Sequence, residues 1–230
     1  MRKRVFIWIA ALGLAAFLSC SQDAYEKGQG DYSLLRGDFA EAYVNNKREV
    51  ESVTTDDGEV LPLVKPLTAK WITTADTAYR CMLYYNKVKG SGGRSMAEVL
   101  SIGQVPCPLI RPLSGFDKAF RADPVKFESA WVSRSGKYLN MSLQLMTGFT
   151  EDTTAIQQLA FVSDTLLQNP DKTSTLYIRL FHDQGNVPEY YSTQAYVSIP
   201  TKSIDADSVR ISINTYKGMV EKAFRVFPAN

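Results

Sequence analysis

The sequence predicts an all-β protein built as a small barrel followed by a sandwich. Apolar and polar residues alternate with a period of two along most of the chain, which is typical of half-buried strands. Turn-forming pairs such as Asp57-Gly58 separate the alternating runs. Convincing helical periodicity is scarce, and only "TAIQQLAFVSDTLLQ" at 154–168 is ambiguous between helix and strand. We therefore expect antiparallel strands joined by short turns.

The N-terminus predicts export and lipidation. "MRKR" is a basic start, and "VFIWIAALGLAAFLS" is an apolar run too short to span a bilayer as a helix. "FLSC" resembles a bacterial lipobox, which identifies residues 1–19 as a lipoprotein signal peptide and Cys20 as the lipidation site. Export without lipidation is the alternative. Acyl chains on Cys20 would hold the protein on a membrane.

A polar segment follows the signal peptide. Residues 20–33 are rich in polar residues and contain two glycines, so we interpret them as a flexible tether. The predicted location is the bacterial envelope, anchored by lipid and most simply at the outer membrane. The sequence leaves open whether the protein faces the periplasm or the cell surface.

Residues 34–105 contain about five strand candidates, the number found in a small OB-like barrel. Three prolines then follow within "VPCPLIRPLSG", and proline cannot continue a central strand. Residues 106–123 are therefore predicted to be a proline-rich linker. Because the prolines interrupt strand pairing, we expect few hydrogen bonds between the two halves.

Residues 124–230 suit an Ig-like β-sandwich, because about seven short strands fit into about 100 residues. One strand alternates cleanly: Leu139, Met141, Leu143 and Leu145 share a face. The opposite face, with Ser142 and Gln144, is expected to meet solvent. The predicted strands are Val125–Val132, Tyr138–Met146, Gln158–Ser163, Leu176–Phe181, Tyr191–Ile199, Val209–Asn214 and Val220–Phe227.

Four stretches in this order resemble the NigD-like lipoproteins of Bacteroidetes. After the lipobox they read "TDDGEVLPLV", "DTAYRCMLYYNKV", "DPVKFESAWVSRSGKYLNMSLQL" and "LFHDQGNVPEYY". The resemblance implies an OB-like domain followed by a β-sandwich. The family is named for a gene cluster linked to a bacteriocin, so a role in self-protection is one implied function. The resemblance implies no catalytic residues.

Composition excludes some classes of function. The leader holds three of the 26 basic residues, which leaves a net charge of about −1 against 24 acidic residues. Such a chain lacks the basic surface that nucleic acid requires, so no nucleic-acid partner is expected. One histidine and two separated cysteines offer no zinc cluster, and no cofactor or metal is expected. Cys81 and Cys107 are either free thiols or a disulfide.

Few residues are candidates for a catalytic or ligand-binding role. His182 precedes Asp183 and could serve a hydrolase as a base, but a strand entering a turn is the simpler interpretation. Tyr84–Tyr85 and Tyr190–Tyr191 are adjacent pairs in strands, so one member of each pair should face outward, where it could stack on a sugar or a peptide. The sequence thus favours a non-catalytic envelope lipoprotein that binds or scaffolds an unknown protein or glycan.

Overall fold

The computed structural model describes residues 34–115 and 119–226. Contacts divide the chain into two compact units, residues 1–35 and 36–230, and the fold below concerns the second. The predicted signal peptide, Cys20 and the tether lie outside the described residues. No helix in the described ranges is both long and apolar enough to cross a membrane.

The first half forms a closed five-stranded barrel with the order β1-β2-β3-β5-β4. β3 and β5 pair in parallel, with Leu63 opposite Ala97. This is the OB-like barrel that the sequence predicts. Its strands are β1 (Leu35–Val44), β2 (Val50–Thr55), β3 (Val60–Leu67), β4 (Thr77–Lys89) and β5 (Ser95–Gln104).

Alternation along the strands fills the barrel. On β4, Cys81, Leu83 and Tyr85 all point into the core. The β2–β3 hairpin turns at Gly58, which has a φ of +83°, a positive value that glycine adopts without steric cost. The N–H of Thr55 donates to the carbonyl of Glu59 across that turn, at 3.0 Å. The Asp-Gly turn predicted from the sequence is confirmed.

The second half forms a sandwich of two sheets, ordered β13-β12-β10-β9-β6 and β11-β8-β7. Their inner faces share one apolar core that includes Leu139, Met141, Leu143 and Leu145. The strands are β6 (Ile110–Pro112), β7 (Lys126–Val132), β8 (Tyr138–Thr147), β9 (Gln158–Gln168), β10 (Ser174–Asp183), β11 (Tyr191–Pro200), β12 (Ser208–Thr215) and β13 (Gly218–Arg225).

Two sequence-based expectations about the sandwich need revision, and one ambiguity is resolved. Most of the ambiguous segment is strand β9, which contains the predicted strand Gln158–Ser163. Part of the predicted linker is a strand, because Ile110–Pro112 pairs in parallel with β9 at the sheet edge, where prolines are tolerated. The strands are also not all antiparallel, since β10 pairs in parallel with β12.

A buried polar cluster joins the barrel to the sandwich. Arg80 on β4 donates to both carboxylate oxygens of Asp56, each at 2.7 Å, and to Asn140 Oδ1 on β8 at 2.9 Å. Asn140 in turn donates to Asp56 Oδ2 at 2.8 Å and accepts from Ser198 on β11 at 2.8 Å. The expectation of few crossing hydrogen bonds is therefore wrong. We call these four residues the Arg80 cluster.

Aromatic and charged contacts surround this cluster. The guanidinium of Arg80 lies 3.9 Å from the ring centroid of Tyr138, and the Phe39 ring meets Tyr196 edge-on at 5.2 Å. Glu41 accepts from Tyr138 at 2.8 Å and from Lys137 at 3.0 Å. Burial alone would raise the pKa of Glu41, but these two hydrogen bonds, the charge of Lys137 and a hydrogen bond from Tyr43 together lower the pKa. Glu41 is therefore ionised at neutral pH.

The outer face of β8 is not exposed to solvent along its whole length, contrary to what alternation predicts. Asn140 is buried in the Arg80 cluster, and Ser142 is buried beneath Glu128 and Gln194. Further along the strand, Gln144 and Met146 are partly exposed. Docking of the barrel explains the burial at Asn140.

Candidate binding site

The first tyrosine pair divides between the two faces of β4. Tyr85 is buried and donates to Asp38 Oδ2 at 2.8 Å, whereas Tyr84 is 38% exposed. Tyr84 lies against Tyr196, and the pKa of Tyr196 is raised by burial first and then by the neighbouring Tyr84. Only Tyr84 of this pair is available to a ligand, and a tyrosine already covers part of its surface.

The second pair is more open. Tyr190 and Tyr191 are both exposed, because they precede and begin β11 at its free end. On this strand Tyr191 lies five residues from Tyr196, or about 17 Å at 3.3 Å per residue. The structure therefore does not bring the two tyrosine pairs together in one site.

Tyr190 lies beside a cleft formed by loops at one end of the sandwich. The cleft has a volume of about 770 Å³ and is lined by residues from 121–123, 154–158 and 183–189. We call it the distal cleft, because β8 runs seven residues, about 23 Å, from Asn140 in the Arg80 cluster to Thr147 at this end. Loops at one end of a sandwich are the usual binding surface of Ig-like folds.

The loops of the distal cleft are held by their own hydrogen bonds. The backbone N–H of Gln184 donates to Asp123 Oδ2 at 2.7 Å, and its side chain donates to the carbonyl of Val187 at 2.9 Å. Gly185 has a φ of +59°, and a Cβ there would lie 2.0 Å from the carbonyl oxygen of Ile156. Glycine is thus required where two loops meet, and the cleft is preorganised.

The charge of the cleft is mainly negative. Asp123, Asp183 and Glu189 line it, and Arg121 is the one cation among its described lining residues. Arg121 Nε lies 4.0 Å from Asp183 Oδ1, and Glu189 accepts from the hydroxyl of Tyr216 at 3.2 Å. These groups can recognise a hydrogen-bonding or cationic partner.

Exposed apolar residues lie near the cleft at this end of the sandwich, and Ile156 is one of its lining residues. Phe149 is 80% exposed and Tyr190 is 76% exposed, and Tyr191, Ile156 and Tyr216 are also open to solvent. Large aromatic side chains exposed together are characteristic of interaction surfaces. We call these five residues the aromatic rim. Sequence reasoning singled out Tyr190 and Tyr191 but missed Phe149, although a lone aromatic within "TGFTED" was a visible signal.

His182 is not positioned for hydrolysis. Its ring is buried, and Nδ1 lies 2.9 Å from the backbone carbonyl of Asp123 rather than from a carboxylate. Within the described part of the chain, Nε2 has no hydrogen-bond partner and therefore no serine to activate. The side chain of His182 lies on the core side of β10, with Leu180, and Asp183 points the other way. This geometry gives the hydrolase hypothesis no support.

The two cysteines in the described residues are free. The thiol of Cys81 is 3.4 Å from the carbonyl of Ala40, and burial raises the pKa of this thiol to about 12. Burial also raises the pKa of Cys107, to about 11. Both residues stay protonated at neutral pH, so neither is an activated nucleophile.

Two aspartates in acidic turns, Asp56 and Asp207, have structural partners. Asp56 binds Arg80, and Asp207 accepts from the N–H and the hydroxyl of Ser174 at 2.7 and 2.9 Å. Over residues 34–115 and 119–226, no group of three histidine, cysteine or carboxylate side chains is arranged to hold a metal ion.

An OB-like barrel joined to a β-sandwich with a loop cleft at its free end defines a two-part, all-β protein. The model of the NigD-like C-terminal beta sandwich domain matches residues 109–226, more than half of the 230-residue chain. The chain belongs to the NigD-like family. No curated protein sequence matches it.

Several crystal structures have the same fold. A protein described as a NigD-like immunity protein from Bacteroides caccae is 23% identical, with a TM-score of 0.63, and the match covers 81% of this chain and 91% of that one. A candidate lipoprotein from Bacteroides fragilis is 12% identical (TM-score 0.60; 85% and 100% covered). A candidate toxin-related protein from Parabacteroides distasonis is 14% identical (TM-score 0.57; 85% and 94% covered).

Proposed function

We propose that this protein is a non-catalytic, lipid-anchored envelope protein whose distal cleft binds a protein partner. The observation that carries the proposal is the aromatic rim around a preorganised cleft. Exposed aromatic side chains such as Phe149 and Tyr190 contribute most when a partner removes them from water. The acidic lining adds selectivity for a partner with complementary charge.

The preorganised loops support recognition rather than chemistry. Gly185 and Gln184 fix the backbone between β10 and β11, so little conformational entropy is lost when a partner binds. Asp123 and Asp183 each accept a backbone N–H, from Gln184 and Gly185. These carboxylates therefore already hold the loop, and a partner would meet a rigid surface.

Affinity capture from envelope extract, followed by mass spectrometry, tests the binding role. The Phe149→Ser, Tyr190→Ser double variant should lose the captured partner, because it removes two of the most exposed members of the rim. The Leu166→Ser, Leu167→Ser variant is the matched control, since both leucines are exposed on β9 at 49% and 46% but lie outside the cleft. If both variants captured the partner equally well, the aromatic rim would not be the binding surface. Elution by free sugar would identify a glycan instead.

Self-protection against a bacteriocin is the second candidate function. It is supported by the family membership and by the fold shared with proteins described as immunity and toxin-related. In this case the partner at the distal cleft is a secreted toxin. A deletion strain should then be killed by culture supernatant of toxin-producing siblings, and wild-type protein should restore survival. If the Phe149→Ser, Tyr190→Ser variant also restored survival, protection would not depend on the aromatic rim of the distal cleft.

Lipidation at Cys20 predicts a simple localisation result. In Cys20→Ala the acyl chains cannot attach, so the protein should leave the membrane fraction after a high-salt wash. Immunoblots of soluble and membrane fractions measure this. Cys107→Ala, which changes a thiol inside the fold, should remain with the membrane. Retention of Cys20→Ala in the membrane would contradict the anchor.

A further inference from the structure

A second, apolar pocket opens at the side of the sandwich, between β7 and the β12–β13 hairpin. It has a volume of about 280 Å³, and its walls include Val125, Phe127, Tyr216 and Val220. Val125 and Phe127 belong to the sandwich core or pack against it. The pocket is thus an opening into the core rather than a surface groove. We call it the side pocket.

Cations stand at the mouth of this apolar space. Lys126 and Lys217 line the side pocket, and the ammonium of Lys222 lies 5.5 Å from the ring centroid of Phe127. Lys222 shares a face of β13 with Val220 and Phe224, and Phe224 packs against the sandwich core. A lysine therefore occupies the middle of the strand face that is turned toward the protein.

Among the described residues, two of these three lysines have no carboxylate partner. Lys126 donates to the neutral Gln144 Oε1 at 2.9 Å and also lowers the pKa of Glu128, after the larger effects of Gln194 and Ser142. No carboxylate in the described ranges lies within ion-pair distance of Lys217 or Lys222, and neighbouring Glu221 pairs with Arg210 at 3.4 Å. The side pocket thus combines apolar walls with Lys217 in its lining and Lys222 beside the ring of Phe127.

We infer that the side pocket binds a medium-chain aliphatic carboxylate, with the chain against Phe127 and Val220 and the carboxylate between Lys217 and Lys222. The apolar walls exclude a polar ligand such as a sugar, and the charges favour an anion over a neutral alcohol. A volume of about 280 Å³ lies just below the usual range of roughly 300–1,000 Å³ for small-molecule sites. A medium chain therefore fits better than a long one. The side pocket shares Tyr216 with the aromatic rim, but none of its lysines lines the distal cleft.

Calorimetric titration with carboxylates of increasing length tests the inference, each below its critical micelle concentration. The protein is the chain from residue 20 onward with Cys20→Ala, so that no covalent acyl chain competes. Kd should fall about fourfold for each methylene from butanoate to octanoate and level off once the pocket is full. Octan-1-ol and octylamine should bind at least about tenfold more weakly than octanoate, because neither supplies a negative charge.

Charge variants locate the site. Lys217→Ser, Lys222→Ser should weaken octanoate binding at least about tenfold, whereas Lys217→Arg, Lys222→Arg should retain it. Lys65→Ser, Lys70→Ser makes the same charge change at exposed barrel positions and should have no effect. If Lys217 and Lys222 serve only to keep the exposed edge of β13 from pairing with another strand, replacing them would leave the Kd for octanoate unchanged. That result, or binding of octan-1-ol as tight as that of octanoate, would overturn the inference.

Discussion

Arg80→Ala should lower the free energy of unfolding by about 3–5 kcal/mol, the usual cost of removing one member of a buried ion pair. The substitution leaves the carboxylate of Asp56 without its bidentate partner and removes one donor to Asn140. It also removes the cation that lies over the Tyr138 ring. Urea denaturation of the intact chain measures the loss.

Two further variants show whether the effect belongs to the Arg80 cluster. Arg94→Ala removes the same side chain from an exposed barrel position and should change stability by no more than about 0.5 kcal/mol. Asp56→Ala combined with Arg80→Ala should cost less than the sum of the two single variants, because no charge is left buried alone. An Arg80→Ala protein as stable as Arg94→Ala would show that the barrel and the sandwich are not joined as described.

Leu143→Ala should cost about 2–5 kcal/mol, because it leaves a cavity in the middle of the sandwich core. Leu143 is fully buried between the two sheets. Leu167→Ala is the matched control, since it makes the same chemical change at an exposed position on β9 and should cost less than about 1 kcal/mol. Chemical denaturation of both variants gives the comparison. Similar losses at both positions would contradict the assigned core.

Ser142 distinguishes the observed sandwich from the one expected from sequence. Simple alternation places Ser142 on a solvent-exposed face, where Ser142→Ala would change the free energy of unfolding little. In the structure the Ser142 hydroxyl is buried, donates to Glu128 Oε2 at 2.9 Å and accepts from Gln194. Its loss should cost about 1 kcal/mol, the net value of a typical hydrogen bond.

The local sequence pattern was sufficient to predict most of the strands and the division into barrel and sandwich. The period of two and the Asp57-Gly58 turn are properties of neighbouring residues, so they can be read from one sequence. The parallel pairing of β10 with β12 depends on residues more than thirty positions apart in sequence, and no local signal specifies it. Strand β6 was missed because its proline resembles a strand breaker.

The Arg80 cluster was missed for a related reason. On alternation alone, Arg80 and Asn140 look like ordinary outward polar residues of β4 and β8. They become buried because two outward faces dock on each other, which only the tertiary structure reveals. Buried charged groups of this kind are satisfied by partners that the sequence places far away.

The candidate site was only partly predictable. Alternation correctly places Tyr84 outward and Tyr85 inward, but it fails for Tyr190 and Tyr191, because both lie where β11 begins rather than within it. The distal cleft combines three segments that are distant in sequence, and the motif "HDQGN" looked like no more than a turn. Whether any of the four tyrosines contacts a ligand stays a prediction.

Site-specific photo-crosslinking in living cells tests the central claim, that the distal cleft is where this protein meets its partner. A benzophenone amino acid replaces Tyr190 in one strain and Leu166 in another, both at exposed positions on the sandwich. Irradiation should give a discrete crosslinked species from the Tyr190 position and none from Leu166. A crosslink from Leu166 alone, or none from Tyr190, would contradict the proposed binding site.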